Sequence, residues 1–549
     1  MKHAPATQDW GPEPSAWAPM RRPVFRALWI AQLAANMGTW MQTVGAQWLM
    51  GDLGGGALEV ALVQTATTLP VFVLVVPAGA LGDILDQRRL LIGGQLLMFL
   101  GAAGLAGVTA AGAETQSLLL GLTALMGVGE AFCISSFQAI QPELVSREEI
   151  PQAALLNSAN GNVARAAGPA FGGALIHAAG PEATFALNAL SFLGVLVVLY
   201  AWKRPPTHRP LGSEHIRDAI RAGARYVRSA PLLGAVIGRS GLFMLFAGGM
   251  WALLPTVARG PLGLDAGGYG LLLGSVGLGA VIGAVLLPSM RGHLRTNVLV
   301  TGAMVIYAGT MAAIGLVPYA VGVAAALIVS GLAWVAVLST LSASAQVLLP
   351  AWARTRGLAY YQLVFMGGQA LGGVGWGAVA DWLGVRTTFV VSAIGLFVTT
   401  VVGMRTLPMP SGPVDVRPAQ LWAEPPSIQM PGRRDAGPVL VTVEWRVDRA
   451  NAEAFIAAMQ PVGMSRRRTG ASLWGLFEDM ADPTLFLETF TVGSEREHLR
   501  QIMERGTKLD QELEARAMAL TRPGHKPQVR HLIFAYASGR DEELSSFPP

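Results

Sequence analysis

Glu130 and Arg165 stand inside stretches of the chain that are otherwise apolar. A charge at the centre of a bilayer costs roughly 2.5–3.5 kcal/mol, so a charged residue within a would-be membrane helix points to a function or a partner. Glu130 falls in the apolar segment 117–140 and Arg165 in the segment 153–178. At 1.5 Å of rise per residue the two lie about 15 and 18 Å from the loop that joins the segments. Antiparallel neighbours at matching depth would form a buried ion pair. In that pair Glu130 exchanges a proton, and Arg165 favours its charged form until substrate displaces the contact; a static structural pair is the other reading. A second set is uncharged. Gln32, Asn36, Thr39, Thr43 and Gln47 recur every three or four residues along the segment 24–50, one polar stripe on an apolar cylinder. Such a stripe forms a cavity wall, or it joins helices by hydrogen bonds. Arg239, in the segment 231–258, is a further cavity candidate unless its guanidinium snorkels to the nearer membrane face.

The elements that hold these residues follow from composition. Of 549 residues 52% are hydrophobic and only 14% are charged, whereas soluble domains average about 25% charged. Spanning the hydrocarbon takes roughly 20 apolar residues. Twelve segments qualify: 24–50, 60–82, 89–112, 117–140, 153–178, 183–202, 231–258, 267–289, 296–317, 319–345, 357–380 and 386–405. Fourteen Lys and Arg lie in the loops of one side, against only Arg259 and Arg386 on the other. That bias places both termini in the cytoplasm of a cell whose inner membrane the chain crosses. Residues 1–22 lack the apolar core of a signal peptide and are expected to be a flexible cytoplasmic tail. The lone Cys133 leaves no disulfide or cysteine metal site. No phosphate-binding Gly-x-x-x-x-Gly-Lys loop occurs, so an ion gradient is the expected energy source. No metal or other cofactor is expected. The basic loops fit anionic inner-leaflet lipid, and a nucleic-acid partner is not implied.

The chain repeats itself. Gly173-Ala174, then Gly180 and Thr184-Phe185, recurs 204 residues later as Gly377-Ala378, Gly384 and Thr388-Phe389. Two six-helix halves in the same orientation, 23–202 and 231–405, are the parallel-repeat signature of a transporter. They are joined by a basic cytoplasmic linker, 203–230. Within it His215–Arg228 reads as an amphipathic helix on the inner leaflet, or equally as a solvated linker.

Between the second and third segments lies a charged knot with Asp83, Asp86, Arg88 and Arg89. Gly79-x-Leu-Gly-Asp83-x-x-x-x-Arg88-Arg89 resembles the cytoplasmic signature of the major facilitator superfamily, with Ile84, Asp86 and Gln87 departing from it. Phe25–Leu28, Asn36–Thr43, Gln141–Val145, Leu156-Asn157-Ser158 and Asn188–Phe192 resemble the enterobactin-exporter-like, transmembrane secretion effector group. The resemblance implies an exporter of a small amphipathic or siderophore-like molecule by proton antiport, with uptake as the alternative. It places helices one, four, seven and ten on the substrate path. Gly79, Asp83, Arg88 and Arg89 would form a conformational latch, with Asp83 near the N-terminus of helix eleven and Arg88 as its partner in the loop. Gly168, Pro169, Gly172 and Gly173 resemble the helix-five packing motif of drug–proton antiporters, with Ala164 where that motif has an earlier glycine.

Residues 406–437 are a Pro- and Gly-rich linker, and 438–549 form a cytoplasmic domain. There Val439–Val447 alternates like a strand, Asn451–Arg468 has helical spacing, and Ser472–Phe477 and Leu485–Thr491 pair. Ser494–Leu520 is expected as one helix with Ser494 and Glu497 in a capping box, before a last strand at Val529–Tyr536. The overall expectation is an all-α polytopic membrane protein of twelve transmembrane helices with a C-terminal α+β ferredoxin-like domain. That domain resembles the dimeric α/β-barrels of the antibiotic-biosynthesis-monooxygenase type. The resemblance implies a dimerisation or regulatory module, or alternatively a cofactor-free oxygenase or ligand sensor. The His498 side chain, on the polar helical face, is read as solvated or structural.

Overall fold

The computed structural model describes residue 15 and residues 17–202, 223–350, 352–409, 415–419, 437–524 and 527–534. Most of the linkers expected over 203–230 and 406–437 lies outside the described residues, and so does most of the amphipathic helix expected at His215–Arg228, of which 223–228 is helical. The first fourteen residues of the expected tail also lie outside them.

A helix occupies each expected segment: α1 (Pro23–Asp52), α2 (Ala57–Ile84), α3 (Gln87–Ala110), α4 (Gln116–Leu144), α5 (Ile150–Ala179), α6 (Pro181–Ala201), α7 (Pro231–Arg259), α8 (Ala266–His293), α9 (Thr296–Leu316), α10 (Ala320–Val347), α11 (Arg354–Leu383) and α12 (Val385–Thr406). Ten of them are long and apolar enough to cross a membrane; α1 and α5 are the two that fall short. Those two carry the polar stripe and Arg165.

The internal repeat has a structural counterpart. Gly180 and Gly384 both sit at φ 79°, a left-handed backbone that favours glycine, and each turns the chain from one helix into the next. In the turns that follow, the Thr184 hydroxyl donates to the Pro181 carbonyl at 2.7 Å and the Thr388 hydroxyl to the Gly384 carbonyl at 2.9 Å. Phe185 and Phe389 are both buried. Likewise α3 packs on α6 and α9 packs on α12. In the first half α1 packs against α5 and α6, and α4 against α2 and α3.

One compact unit holds most of the length of these helices; a second gathers Gly412–Pro549 with Arg217–Ala235 and Ala343–Tyr360, which include end turns of α7, α10 and α11. The second unit contains β1 (Val439–Arg446), α13 (Ala452–Thr469), β2 (Ala471–Glu478), β3 (Leu485–Val492), α14 (Glu495–Met503), α15 (Lys508–Met518) and β4 (Gln528–Ile533). The strands form one sheet in the order β2-β3-β1-β4, and every neighbouring pair is antiparallel. The single helix expected over Ser494–Leu520 is in fact two. Thr507 opens α15 with a capping box of its own: its hydroxyl accepts the Asp510 amide at 3.3 Å and its amide donates to the Asp510 carboxylate at 2.9 Å.

The unit is pinned by charge as well as by apolar packing. Glu488 is fully buried and accepts from Arg466 Nε at 3.1 Å, Trp474 Nε1 at 3.0 Å and Trp445 Nε1 at 3.3 Å. A second Arg466 nitrogen reaches Glu514 at 3.0 Å, so the buried guanidinium is paired and hydrogen-bonded on two sides. Near α14, Arg505 pairs with Glu497 at 2.6 Å and lies 5.0 Å from the Trp352 ring, whose Nε1 donates to the Arg505 carbonyl at 3.1 Å. Tyr226 packs edge-on to Trp352 and donates its hydroxyl to the Leu348 carbonyl at 2.9 Å. The two loop stretches are thereby tied to the sheet domain inside this unit.

His498 is buried, not solvated: it is 1% exposed, 4.9 Å from the His531 ring and hydrogen-bonded to Gln501 at 3.1 Å. Burial pushes its pKa from the ordinary 6.5 down to about 4, and burial lowers that of His531 too. The unfolded chain takes up the His498 proton near pH 6.5 and the folded chain only near pH 4. Stability is therefore lost as pH falls through that window, by up to about 3 kcal/mol. Amide exchange protection of β3 in the full chain should drop between pH 6.5 and 4.5, and drop less in His498→Asn.

Candidate functional site

The polar stripe of α1 divides into three parts with different partners. At one end Gln32 donates to Asn36 at 3.0 Å and Asn36 donates to Asn160 of α5 at 2.9 Å. Asn160 returns its own amide hydrogens to the Trp29 carbonyl at 2.9 Å, and Trp29 Nε1 donates to the Leu156 carbonyl at 3.0 Å. These bonds join α1 to α5. At the other end Gln47 donates to the Trp251 carbonyl of α7 at 3.1 Å and accepts the Tyr269 hydroxyl of α8 at 2.5 Å. The middle of the stripe, Thr39 and Thr43, lines a cavity.

That cavity lies within the first half and is bounded by α1, α2, α3 and α4. Its polar lining is Thr39, Gln42, Thr43, Thr67, Thr123 and Glu130. It measures about 20 Å³, room for one water-sized occupant. The sequence brings Glu130, Thr39 and Thr43 to notice; Gln42, Thr67 and Thr123 are missed because a lone hydroxyl or amide among apolar residues gives no pattern.

Arg165 is not among the residues lining it. Among the described residues no ion pair joins Glu130 and Arg165, so the expected pairing is absent. The reason is in the packing: α5 lies along α1, and α4 lies along α2 and α3, so α4 and α5 are not neighbours along their length. The Arg165 guanidinium instead lies 5.7 Å from the ring centre of Trp40. From Trp40 a line of aromatic contacts crosses between the halves. Trp40 and Trp251 are 5.5 Å apart, Trp251 and Trp334 5.3 Å, and Trp334 and Tyr307 5.9 Å. Phe243 fills the last corner at 5.1 Å from Tyr307. Arg165 Nε and the indole nitrogens of Trp251 and Trp334 are buried without hydrogen-bond partners among the described residues. This line presents hydrogen-bond donors on apolar rings.

Arg239 belongs to neither place. It is 3% exposed, so it does not snorkel, and it lines a separate small pocket with Phe243, Thr399 and Thr400. One guanidinium nitrogen donates to the Gly403 carbonyl at 2.9 Å, in the last turn of α12, where a cation meets the negative end of the helix.

The helix-five glycines face two ways. Gly168 and Gly172 lie against α1, where a Cβ on Gly172 would sit 2.8 Å from Met41 Cα. Gly173 lies against α8, where a Cβ would meet the Ala266 carbonyl at 2.6 Å and Gly270 Cα at 2.9 Å. Pro169 turns its carbonyl to the same place, 2.7 Å from a Cβ on Gly270. At that end of the bundle the halves are also joined by Asp52–Arg259 at 2.5 Å and by Asp381 of α11, which accepts the Ala57 amide at the start of α2 at 2.9 Å.

At the opposite end of α2, Gly79 and Asp83 lie in its last two turns, and the Asp83 side chain is outside what the structure describes. Asp86 caps α3 by accepting the Arg89 amide at 3.0 Å, and the Arg89 side chain is exposed. Arg88 turns to α6, donating to the carbonyls of Leu199 at 2.8 Å and Tyr200 at 2.9 Å. A cation at a helix C-terminus satisfies orphan carbonyls, and this accounts for Arg88 apart from any latch.

A profile of the transmembrane secretion effector family matches residues 14–539. The enterobactin exporter EntS of Citrobacter koseri is 25% identical over 295 residues, covering 53% of this chain and 69% of that protein. YfiS of Bacillus subtilis, an uncharacterised transporter of the major facilitator type, is 25% identical over 391 residues, covering 68% and 92%. The multidrug efflux pump Tap of Mycolicibacterium fortuitum is 25% identical over 314 residues, covering 54% and 74%. Among solved structures, a bacterial homologue of the human lysosomal transporter Spinster, inward-facing and unoccupied, superposes with a TM-score of 0.57 at 15% identity, covering 71% of this chain and 98% of that one. The nucleoside transporter NupG gives 0.59 at 11% identity, covering 70% and 99%. At these identities the structures show the fold alone.

Close approach through Gly173 makes a test. Gly173→Val should lower the melting temperature of the purified protein by several degrees, since overpacking costs about 1–3 kcal/mol. Gly161→Ala, on the same helix with open space where the methyl would go, should leave it unchanged or slightly higher.

Proposed function

Because the chain belongs to the transmembrane secretion effector family of the major facilitator superfamily, we propose that it exports a small amphipathic or siderophore-like molecule across the bacterial inner membrane by proton antiport. The observation that carries this reading is the aromatic line from Arg165 and Trp40 to Trp251, Trp334 and Tyr307. It draws on both halves, as a site that opens alternately to the two sides must. Its rings favour a flat apolar body, and its free N–H groups and guanidinium favour an acceptor-bearing or anionic edge. Export is favoured by relatives named as an enterobactin exporter and a multidrug efflux pump.

Twelve spans with both termini in the cytoplasm follow if α1 and α5 cross with their polar faces inward. Glu130 is the proton carrier in this reading. One proton moved across 100 mV releases about 2.3 kcal/mol, enough for a gradient of roughly forty- to fifty-fold. Asp83 acts as a cytoplasmic latch. The C-terminal unit is a ferredoxin-like module, a reading supported by its strand order and by the two helices, α13 and α14, that follow β1 and β3. We assign it a regulatory or dimerising role rather than catalysis.

Accumulation assays test this in cells overexpressing the protein, across a panel of catechols, aromatic carboxylates and amphipathic dyes. Cell-associated compound should fall several-fold and recover with a protonophore. Trp251→Ala and Arg165→Ala should lose the effect, and Glu130→Gln should lose the protonophore-sensitive part. Retention of gradient-driven export by Glu130→Gln removes the proton role. Asp83→Asn should fold normally yet export little, with cysteines placed at the cytoplasmic cavity mouth becoming more reactive.

A further inference from the structure

The break between α14 and α15 hands four main-chain groups to other parts of the chain. In one continuous helix the carbonyls of Arg505 and Gly506 would accept from Leu509 and Asp510, and the Lys508 amide would donate to Glu504. Here the Arg505 carbonyl accepts Trp352 Nε1 at 3.1 Å, and the Gly506 carbonyl accepts the Ala419 amide at 2.9 Å. The Lys508 amide donates to the Arg417 carbonyl and the Leu509 amide to the Asp415 carbonyl, both at 3.0 Å. Residues 505–507 are buried, where a main-chain group needs a partner inside the protein.

Side chains converge on the same junction. The Arg505 guanidinium forks onto both Glu497 oxygens, at 2.6 and 3.2 Å, and donates to the Thr469 carbonyl at 3.0 Å. It also lies 5.0 Å from the Trp352 ring. Glu497 takes Arg225 as well, at 3.5 Å. Tyr226 sets its ring edge-on to Trp352 at 5.5 Å and donates to the Leu348 carbonyl at 2.9 Å. A Cβ on Gly223 would lie 3.0 Å from the Tyr360 ring, so this segment also packs on the start of α11. Three stretches therefore meet here: 223–226, which leads into α7; 348–352, between α10 and α11; and 415–419, which follows α12.

From this convergence we propose that the break between α14 and α15 is a socket by which the sheet domain grips the ends of α7, α10 and α11. Docking in the socket regulates transport by fixing the spacing of those ends. No residue of the first half, 23–202, belongs to this unit, so the grip stiffens the second half alone. Docking and the shape of the junction form one linked equilibrium. Whatever moves α14 against α15 alters the grip, and movement of the gripped ends is passed back to the domain. The part that concerns transport rests on the exporter reading above; the grip itself does not.

Hydrogen exchange of the full-length protein in nanodiscs tests the grip. Trp352→Ala removes the indole bond, the ring beside Arg505 and the edge contact with Tyr226, and leaves every residue of the sheet domain in place. Exchange at 223–230 and 505–509 should rise about tenfold, as expected for losing a hydrogen bond and a cation–π contact, with β1 and β3 unchanged. Trp352→Phe keeps a ring, loses the N–H, and should raise exchange by a smaller factor. Arg522→Ala, which loses an exposed pair with Asp448, should match wild type. Loosening confined to the residues adjoining Trp352 overturns the socket. Protonophore-sensitive export by Trp352→Ala should fall several-fold; unchanged export with loosened segments overturns the regulatory role. Loosened segments in a protein whose wild type exports nothing leave the socket and remove the exporter.

Discussion

A polar group inside a membrane helix must be met by another part of the protein, because hydrocarbon offers it nothing. The arrangement of the helices around α1 follows from that constraint. Asn36 is met by Asn160, Gln42 by Asn188 and Gln47 by Trp251 and Tyr269. Each bond fixes α1 against a different neighbour: α5, α6, and the pair α7 and α8. Measured bonds of this kind average only about 0.6 kcal/mol, so they act as register marks more than as glue. Close packing supplies the rest. A Cβ on Gly38 would sit 3.0 Å from Asn188 Cα, and Gly172 approaches Met41 as closely.

Contacts between the halves at the ends of the helices have a different character. Where α11 ends, Asp381 meets the N-terminus of α2; where α5 ends, His177 meets Asp265, the residue that caps α8. The two arrangements are related by the internal repeat. Each sets a side chain from one half against a helix start in the other, where a carboxylate gains about 0.3–1 kcal/mol. His177 and Asp265 are largely exposed, so their pairing adds little. At this end the halves meet through these polar helix ends, the Asp52–Arg259 pair and glycine-lined helix faces.

The architecture was legible in the sequence wherever it depended on runs of apolar residues. A helix lies wherever one of those twelve runs falls. The repeat was legible because Gly180 and Gly384 are demanded by the same left-handed turn. Side-chain pairing was not. Depth along a helix placed Glu130 level with Arg165, but depth carries no information about azimuth, and the two helices face different neighbours. The bonds of Arg88 to α6 are likewise illegible in the sequence, because nothing local shows that the C-terminus of α6 lies within its reach. In the second unit the helix over Ser494–Leu520 was read through its break because Thr507 and Asp510 resemble ordinary helical surface until their capping bonds are seen.

Two places therefore share α1. The aromatic line presents donors, from Arg165, Trp251 and Trp334; the Glu130 cavity sets one carboxyl group, Gln42 and four threonines among apolar side chains. Thr39 lines the second and the next residue, Trp40, begins the first. Adjacent residues on a helix point about 100° apart, so one segment of α1 is exposed to both occupants at once. Any small rotation of α1 that relaxes one contact must turn the other, since a helix moves as a rigid element over a single turn. A group held at either place would therefore bear on the same turn of α1 as a group held at the other.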